Sequence, residues 1–411
     1  MSTSTRFVPP PYPYDRLDEL KPLADRHDGG LVDLSIGTPV DPPSPAVLAA
    51  LGGSDSERGY PPSIGTPDLR QAAARWCEQR FGVGVDADAE IAATIGSKEF
   101  VAGLPHWLRL RTPKRDTVLY PEVSYPSYAM GAELAGCRAV GVPADEHWSI
   151  QLDAISEADA ERALVLWVNS PGNPAGGLDD LAAAAKWGRE RGVPVFSDEC
   201  YAEFTWDGPP RTILTPTDVG SATDRSRDAD VAAGMSPDAG ADITRDHPRR
   251  ADVDGVVAVH SLSKRSNLAG VRVGFYAGDP ELVYYLREVR KHAGFMVPGP
   301  AQAAAVAALA DQDHVASQRA RYQTRLERLA RLVGRFGPEP PLPRGGFYLW
   351  AGAPDGDAWA FTRTLLAEAG MLVSPGEFYG PSGAGHVRVA AVLTDNALDM
   401  VESRLTRSAL L

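Results

Sequence analysis

The sequence predicts an α/β fold: a large domain built on a mostly parallel sheet with helices on both faces, followed by a smaller C-terminal domain. Three observations carry this expectation. From Asp116 onward, short apolar runs of strand length alternate with amphipathic helical runs, the pattern of a parallel sheet covered on both sides. Three of these apolar runs end in polar clusters (169–174, 197–201 and 261–264), and ligands of such sheets gather beyond the carboxyl ends of the strands. Finally, a long helical stretch at 301–336 leads out of the sheet region to a second set of strands at 346–350, 372–374 and 386–392.

The elements follow in order. The proline-rich start, through Pro13, reads as an extended arm, and 31–36 as a short strand before the breaker run Gly37-Thr38-Pro39. Helices are expected at 45–51 and 67–81, the second with Leu69, Ala73, Trp76 and Cys77 at helical spacing, separated by the loop around Gly59-Tyr60-Pro61-Pro62. Residues 90–95 form a strand that runs into Gly96-Ser97-Lys98-Glu99 and then an apolar helix through Leu110. A helix start of this kind exposes backbone N–H groups and a positive dipole end to an anion, although Gly-Ser-Lys reads equally as a plain N-cap. Strand 117–120, helix 127–135, strands 138–142 and 163–168, helix 181–191 and strand 193–196 continue the alternation, and 255–259 and 271–276 resume it. Between them, 217–254 carries nine aspartates, five arginines and no Phe, Trp or Tyr, and reads as a polar insertion that cannot bury a core of its own. The expected domains are an N-terminal arm at 1–45 that joins the smaller domain, a large domain at 46–298, and the smaller domain at 299–411.

Composition narrows the function. A chain of 411 residues, 44% hydrophobic and 23% charged, belongs with soluble globular proteins. A formal net charge of −13 argues against nucleic acid and anionic membrane as partners. Cys77, Cys137 and Cys200 are odd in number and lack metal-ligand or redox spacing, so neither a disulfide framework nor a metal site is expected, and a reducing cytoplasm fits. The N-terminus has no apolar core of signal-peptide length, and no run approaches a membrane span.

The chemistry centres on residues 261–274, SLSKRSNLAGVRVG. A lysine amine condenses with an aldehyde only when neutral, whereas a free lysine with pKa about 10.4 is almost wholly protonated near pH 7. Arg272, eight positions after Lys264 and permanently charged, disfavours the ammonium form and offers a planar fork of donors to a phosphate, with Ser261 and Ser263 adding hydroxyls. A lysine beside phosphate ligands suggests a cofactor with both an aldehyde and a phosphate, pyridoxal 5'-phosphate. Taken alone, the turn reads equally as a polar link between two strands. A lysine here is nonetheless notable, because the chain spends only six lysines among its 41 basic residues.

The patterns G-S-K, Y-P-S-Y, S-P-G-N-P-A-G, S-D-E-C-Y, S-L-S-K with G-x-R-x-G, and a late H-V-R-V occur in one order over nearly the whole chain. In these the chain resembles the class I/II pyridoxal-phosphate-dependent aminotransferases of fold type I. The resemblance implies a seven-stranded-type sheet, a small domain drawn from both termini, and a homodimer acting on amino acids and 2-oxo acids. It implies that Lys264 forms the Schiff base and moves the substrate proton, and that Asp198 pairs with the protonated ring nitrogen. Asn173 and Tyr201 are implied at the ring oxygen and Tyr125 stacked on the ring. The phosphate falls to Ser97, Lys98, Ser261, Ser263 and Arg272, with Tyr60 reaching it from the second subunit. Arg388 is implied to grip the substrate α-carboxylate bidentately, assisted by Asn173 and with Gly37 nearby. Cys200 and His260 read as packing residues.

Ala175 stands where the family has threonine, and the 217–254 segment is foreign to the pattern. Within the family, LVDLSIGTPVDP, SKRSNLAG, RKHAGFMVPGPAQAA and VSPGEFYGPSGAGHVRVA resemble most the transaminases of N-succinyldiaminopimelate, with 2-oxoglutarate as acceptor. Lys291 and Arg265 are the basic candidates for the distal carboxylates of that substrate. The same lysine, aspartate and arginine also serve aminotransferases of aspartate or aromatic amino acids, and carbon–sulfur β-lyases. A cofactor-sensing regulator would need a DNA-binding module ahead of the domain, and about thirty residues are too few for one.

Overall fold

The computed structural model describes residues 7–53, 55–56, 58–216 and 249–408, so most of the polar insertion, 217–248, lies outside the described residues. The chain forms two compact units. The larger comprises Pro42–Ala320 with Arg344–Gly346, and the smaller is drawn from the chain up to Asp41, Arg321–Pro343, and Phe347 onward.

The larger unit holds a seven-stranded sheet of β1 (Ile91–Thr94), β2 (Thr117–Pro121), β3 (Arg138–Val142), β4 (Ala163–Asn169), β5 (Val195–Asp198), β6 (Val256–Ser261) and β7 (Gly274–Gly278), in the order β1-β7-β6-β5-β4-β2-β3. Strands β6, β5, β4, β2 and β3 run parallel, while β7 is antiparallel to both of its neighbours. The reason for the reversal is local. A parallel return needs a crossover of a dozen or more residues, usually a full helix, whereas the 262–273 link holds only one short helical turn.

Every residue of β4 and β6 is buried, as a central strand with helices on both faces requires. Alternate side chains serve opposite faces. Leu166, Val168, Val195, Ala258 and Phe275 pack on one side with α2 (Pro67–Phe81) and its neighbours. Val165, Trp167, Phe196, Val259 and Tyr276 pack on the other, against α3 (Ser97–Arg111) and α4 (Ser127–Leu134). Helix starts are set by side-chain caps: Ser44 for α1 (Pro45–Gly52), Thr66 for α2 and Asp180 for Leu181–Arg191, each worth about 1 kcal/mol. The remaining helices of this unit are α5 (Glu157–Arg162), α6 (Leu181–Arg191), α7 (Leu262–Arg265), α8 (Pro280–His292) and α9 (Gly299–Ala310).

Two sequence expectations change here. The 301–336 stretch is two helices, α9 and α10 (Gln312–Val333), because Asp311 leaves helical geometry and its carboxylate accepts the His314 N–H to start the second. Ala301, Ala304, Ala305, Ala308 and Leu309 of α9 pack in the same core as Val47, Leu69 and Trp76, so α9 belongs to the larger unit rather than to a smaller domain starting at 299. The polar insertion also ends before 254. Arg249–Arg250 pairs parallel with Val83–Gly84, Arg250 ion-pairs with Glu90, Ala251 is buried, and Asp252 meets Arg189 at 2.7 Å.

In the smaller unit, β8 (Tyr348–Gly352), β9 (Ser374–Pro375) and β10 (His386–Ala390) form an antiparallel sheet in the order β8-β10-β9. The expected 31–36 strand is confined to Val32–Asp33, which pairs with Met371–Leu372. Helices α11 (Ala358–Ala369) and α12 (Asp395–Ser408) complete it. Buried Arg325 ties the two ends of the chain together, bridging Asp41 at 2.5 Å and Asp395 at 2.8 Å.

Candidate active site

Sheet register gathers the polar clusters on one edge. Asn169 at the end of β4 lies opposite Asp198 at the end of β5, Asp198 lies opposite Val259 of β6, Ser261 of β6 lies opposite Gly274 of β7, and Gly274 lies opposite Thr94 of β1. The chain therefore emerges at one rim with Asn169, Asp198, the Ser261–Lys264 turn and the Ile95–Ser97 turn, while Arg272 enters β7 from the same rim. None of these residues is near the others in sequence order, apart from those of a shared turn.

The donors form a cup. Ser261 caps α7 by accepting the Ser263 N–H at 3.2 Å, which fixes the tight turn that carries half-buried Lys264. Arg272 has a left-handed backbone, φ 57°, and its guanidinium donates to the Ala269 carbonyl at 2.7 Å, reaching the Ser263 hydroxyl and the Ile95 carbonyl at 3.5 Å each. Gly96, at the N-cap of α3, has φ 73°, and a Cβ there would collide with that guanidinium. Glycine is thus favoured by conformation, and a larger residue would also displace the Arg272 guanidinium. The first turn of α3 supplies Ser97 and exposed Lys98, whose ammonium lies 5.5 Å from the Tyr125 ring centre.

Asp198 supplies the negative pole. Its Oδ1 accepts the Cys200 N–H at 3.1 Å and its Oδ2 accepts the Tyr128 hydroxyl at 2.9 Å. Burial pushes its carboxyl above the usual carboxylate range, opposed by the hydrogen bonds from Cys200 and Tyr128. Burial also holds the Tyr128 phenol well above its ordinary value, with Asp198 adding to the effect, so Tyr128 stays a donor. The Cys200 thiol donates to the Ser97 hydroxyl at 3.2 Å and joins the carboxylate to the cup. Burial and the Asp198 charge raise that thiol well above its usual value, while Ser97 and the nearby Lys264 charge pull it down. Asn169 donates to the Asp198 carbonyl at 2.9 Å and accepts the Asn173 N–H at 2.9 Å, which locks the 169–174 loop against the same strand end. Asn173 and Tyr201 are both buried on this rim.

The chemistry of this donor set fits a ligand with a phosphate at one end and a basic ring nitrogen at the other. Hydroxyls, a guanidinium and a helix N-terminus receive the anion. A carboxylate receives the ring N–H, Tyr125 offers an aromatic face, and Lys264 sits on the turn between.

Other expected site residues belong to other elements of the chain. Tyr60, in the larger unit, is 95% exposed. Arg388 and Gly37 belong to the smaller unit. Arg388 is buried on β10, donates to the Ser35 carbonyl, and lies over the rings of Tyr348 and Tyr379 at 4.3 and 4.8 Å. Gly37 is buried against the Tyr348 ring, where a Cβ would clash with the phenol.

One expectation is overturned. Arg265 cannot serve a substrate carboxylate, because it is buried, ion-pairs with Glu203 at 3.1 Å and donates to the Ala308 carbonyl at 2.6 Å. Lys291 is exposed and meets Glu288 at 3.7 Å. Sequence reasoning missed Tyr128, the second tyrosine of Y-P-S-Y, although its three-residue offset from Tyr125 was a usable signal. Cys200, set aside as packing, makes two of the contacts that assemble the rim.

The profile describing class I and II aminotransferases matches residues 30–405. A probable aminotransferase of Mycobacterium tuberculosis is 41% identical over 97% of this chain and 85% of its own length. The 4-dedimethylamino-4-oxo-anhydrotetracycline transaminase of Streptomyces rimosus is 40% identical over 97% of this chain and 99% of its own. Among solved structures, a probable N-succinyldiaminopimelate aminotransferase of Thermus thermophilus is 31% identical with a TM-score of 0.78, covering 96% of this chain and 99% of that one.

Proposed function

The chain belongs to the class I and II aminotransferases, whose cofactor is pyridoxal 5'-phosphate, and from that premise we propose that it transfers the amino group between N-succinyldiaminopimelate and 2-oxoglutarate. The products are the corresponding keto acid and L-glutamate. The observation that carries the chemical part is the convergence of Lys264, Asp198 and the donor cup on one sheet rim. When bound, the cofactor supplies an electron sink for the charge left on the substrate α-carbon. Lys264 Nζ would take the proton from that carbon, acting as the base and proton carrier of the transfer. Asp198, ionised, keeps the ring nitrogen protonated. Asn173 and Tyr201 donate to the ring oxygen, Tyr125 covers the ring face, and Ser97, Lys98, Ser261, Ser263 and Arg272 hold the phosphate. By the family resemblance, Arg388 is assigned to the α-carboxylate through its planar fork, and Asn173 and Gly37 are assigned to the same group. With Arg265 buried, Lys291 is the basic group assigned to the distal end of the substrate. We assign the enzyme to the cytoplasm as a homodimer in which the exposed Tyr60 reaches its partner's phosphate cup.

The substrate assignment is supported by the stretches resembling succinyldiaminopimelate transaminases and by the likeness to the Thermus thermophilus protein. The 40% identity to the Streptomyces rimosus transaminase favours a second reading, a bulky cyclic oxo acceptor in place of the keto acid. Comparing rates for N-succinyldiaminopimelate, acetylornithine, aspartate and an aromatic amino acid against 2-oxoglutarate tests the assignment. A clear preference for the succinylated donor supports it. Preference for aspartate or an aromatic donor, or transfer only to a polycyclic ketone, overturns the substrate and leaves amine transfer standing. Release of pyruvate and ammonia from a cystathionine-like substrate would indicate a lyase.

A further inference from the structure

We propose that Arg290 is a positioning residue for the phosphate end of the cofactor, acting through Glu99: it cancels a carboxylate that would otherwise oppose the phosphate at the first turn of α3. Glu99 belongs to the turn that carries Ser97 and Lys98. Its Oε1 accepts the Ile95 N–H at 2.9 Å, so the carboxylate folds back over the helix's own N-terminus. That contact orders the 95–97 turn, but it also puts a negative charge at the positive end of a helix intended for an anion. Left uncompensated, Glu99 would repel a phosphate dianion and compete for the same field.

Arg290, in the last turn of α8, removes that conflict. It is 1% exposed and spans Glu99 with two N–H···O contacts, Nη1 to Oε2 at 2.9 Å and Nη2 to Oε1 at 2.6 Å. Its guanidinium carbon lies 5.4, 5.0 and 4.9 Å from the ring centres of Phe100, Trp107 and Phe295. Three aromatic walls exclude water and fix the planar fork, and a lysine would reproduce neither its bidentate geometry nor its stacking. The paired charges cancel, and the sign of the cup is left to Lys98, Arg272 and the helix dipole. Arg290 is enclosed by protein on α3, α8 and their neighbours, while Glu99 is partly exposed, so Arg290 acts through Glu99.

This rests on the pyridoxal-phosphate reading of the site, and the test separates the two. Apoprotein is titrated with pyridoxal 5'-phosphate and, separately, with pyridoxal, which has the same ring and aldehyde and lacks the phosphate, following quenching of tryptophan fluorescence. If the parent protein binds neither, the site reading itself fails. If it does bind, R290Q is expected to lose affinity for the phosphate form on the order of tenfold, about 1.4 kcal/mol, with pyridoxal affinity unchanged. R290Q/E99Q is expected to recover to within about threefold of the parent, since no charge remains to be cancelled. Equal losses for pyridoxal and its phosphate, no loss at all, or a double variant no better than R290Q would overturn the proposal and leave the pair as a structural tie. Should R290Q fail to fold, E99Q reads the same coupling from the other side. Freed from its partner, Arg290 should tighten the phosphate form and not pyridoxal, and unchanged affinity for both would overturn the proposal.

Discussion

Replacing Tyr128 with Phe removes one hydroxyl and no bulk, at the point where the protein sets the charge of Asp198. The tyrosine is buried and donates at 2.9 Å to Asp198 Oδ2, while Oδ1 accepts the Cys200 N–H at 3.1 Å. A hydrogen bond to a charged group is worth about 1.5–3 kcal/mol, and about 1.36 kcal/mol corresponds to one pKa unit. Burial already raises the Asp198 carboxyl, and the donated proton counters that rise. Its loss should therefore lift the carboxyl further, by the free energy of that bond. The proposed role of Asp198 requires it ionised, so activity should be lost as pH falls through this pKa, and the acid limb of the rate profile should move to higher pH by the same amount. The assay is kcat and KM for the L-glutamate half-reaction from about pH 5 to 9, together with the pH titration of the bound cofactor's absorbance. The expected result is a displaced acid limb in kcat with KM little changed. Superimposable profiles would show that Tyr128 does not govern the charge on Asp198.

Arg388→Lys keeps the positive charge but loses the fork, and should raise KM for L-glutamate by about ten- to a hundredfold; an unchanged KM would remove Arg388 from the α-carboxylate. Deleting 217–248 through a short linker should leave the melting temperature and activity near those of the parent, because lengthening or shortening a connection costs little. Extending the deletion to 254 removes the Arg250–Glu90 pair, buried Ala251 and the Asp252–Arg189 pair, and should cost about 1–3 kcal/mol; equal melting of the two deletions would contradict this. Burial pushes Glu199 up to about 8 and its neighbour His260 down to about 3. A carboxyl raised in the folded state contributes stability that is complete below its unfolded pKa and lost as pH rises through about 8, whereas the neutral His260 destabilises only as pH falls below about 6.5. Glu199→Gln should thus flatten the fall in melting temperature between about pH 6.5 and 8, and parallel slopes for the two proteins would refute it.

Much of the larger unit was legible because its signals are local. The 67–81 and 181–191 helices carry their own caps and periodicity, and 138–142 is a strand by composition, and all three are found with those bounds. The polar clusters 169–174, 197–201 and 261–264 announced a site because each follows a buried strand. What escaped depends on partners distant in sequence. Nothing near Arg265 reveals that Glu203 will bury it, and nothing near Glu99 reveals Arg290. Strand periodicity carries no direction, so the antiparallel entry of β7 follows from a link that holds only one short helical turn. Val83–Gly84 and Arg249–Arg250 are too short for any pattern, which is why composition alone placed the end of the polar insertion six residues too late, at 254 rather than before Arg249. The break at Asp311 was locally encoded, since an aspartate whose carboxylate accepts the N–H three residues later is an N-cap, but an uninterrupted apolar periodicity concealed it.

The central claim is that Lys264, among six lysines, carries the cofactor. The most direct measurement is borohydride reduction of the protein loaded with pyridoxal 5'-phosphate, followed by peptide mass mapping with and without prior L-glutamate. The account predicts a single covalent adduct, on the peptide that contains Lys264, greatly diminished when glutamate is added first. An adduct on Lys98 or any other lysine, or one that glutamate does not displace, would contradict it.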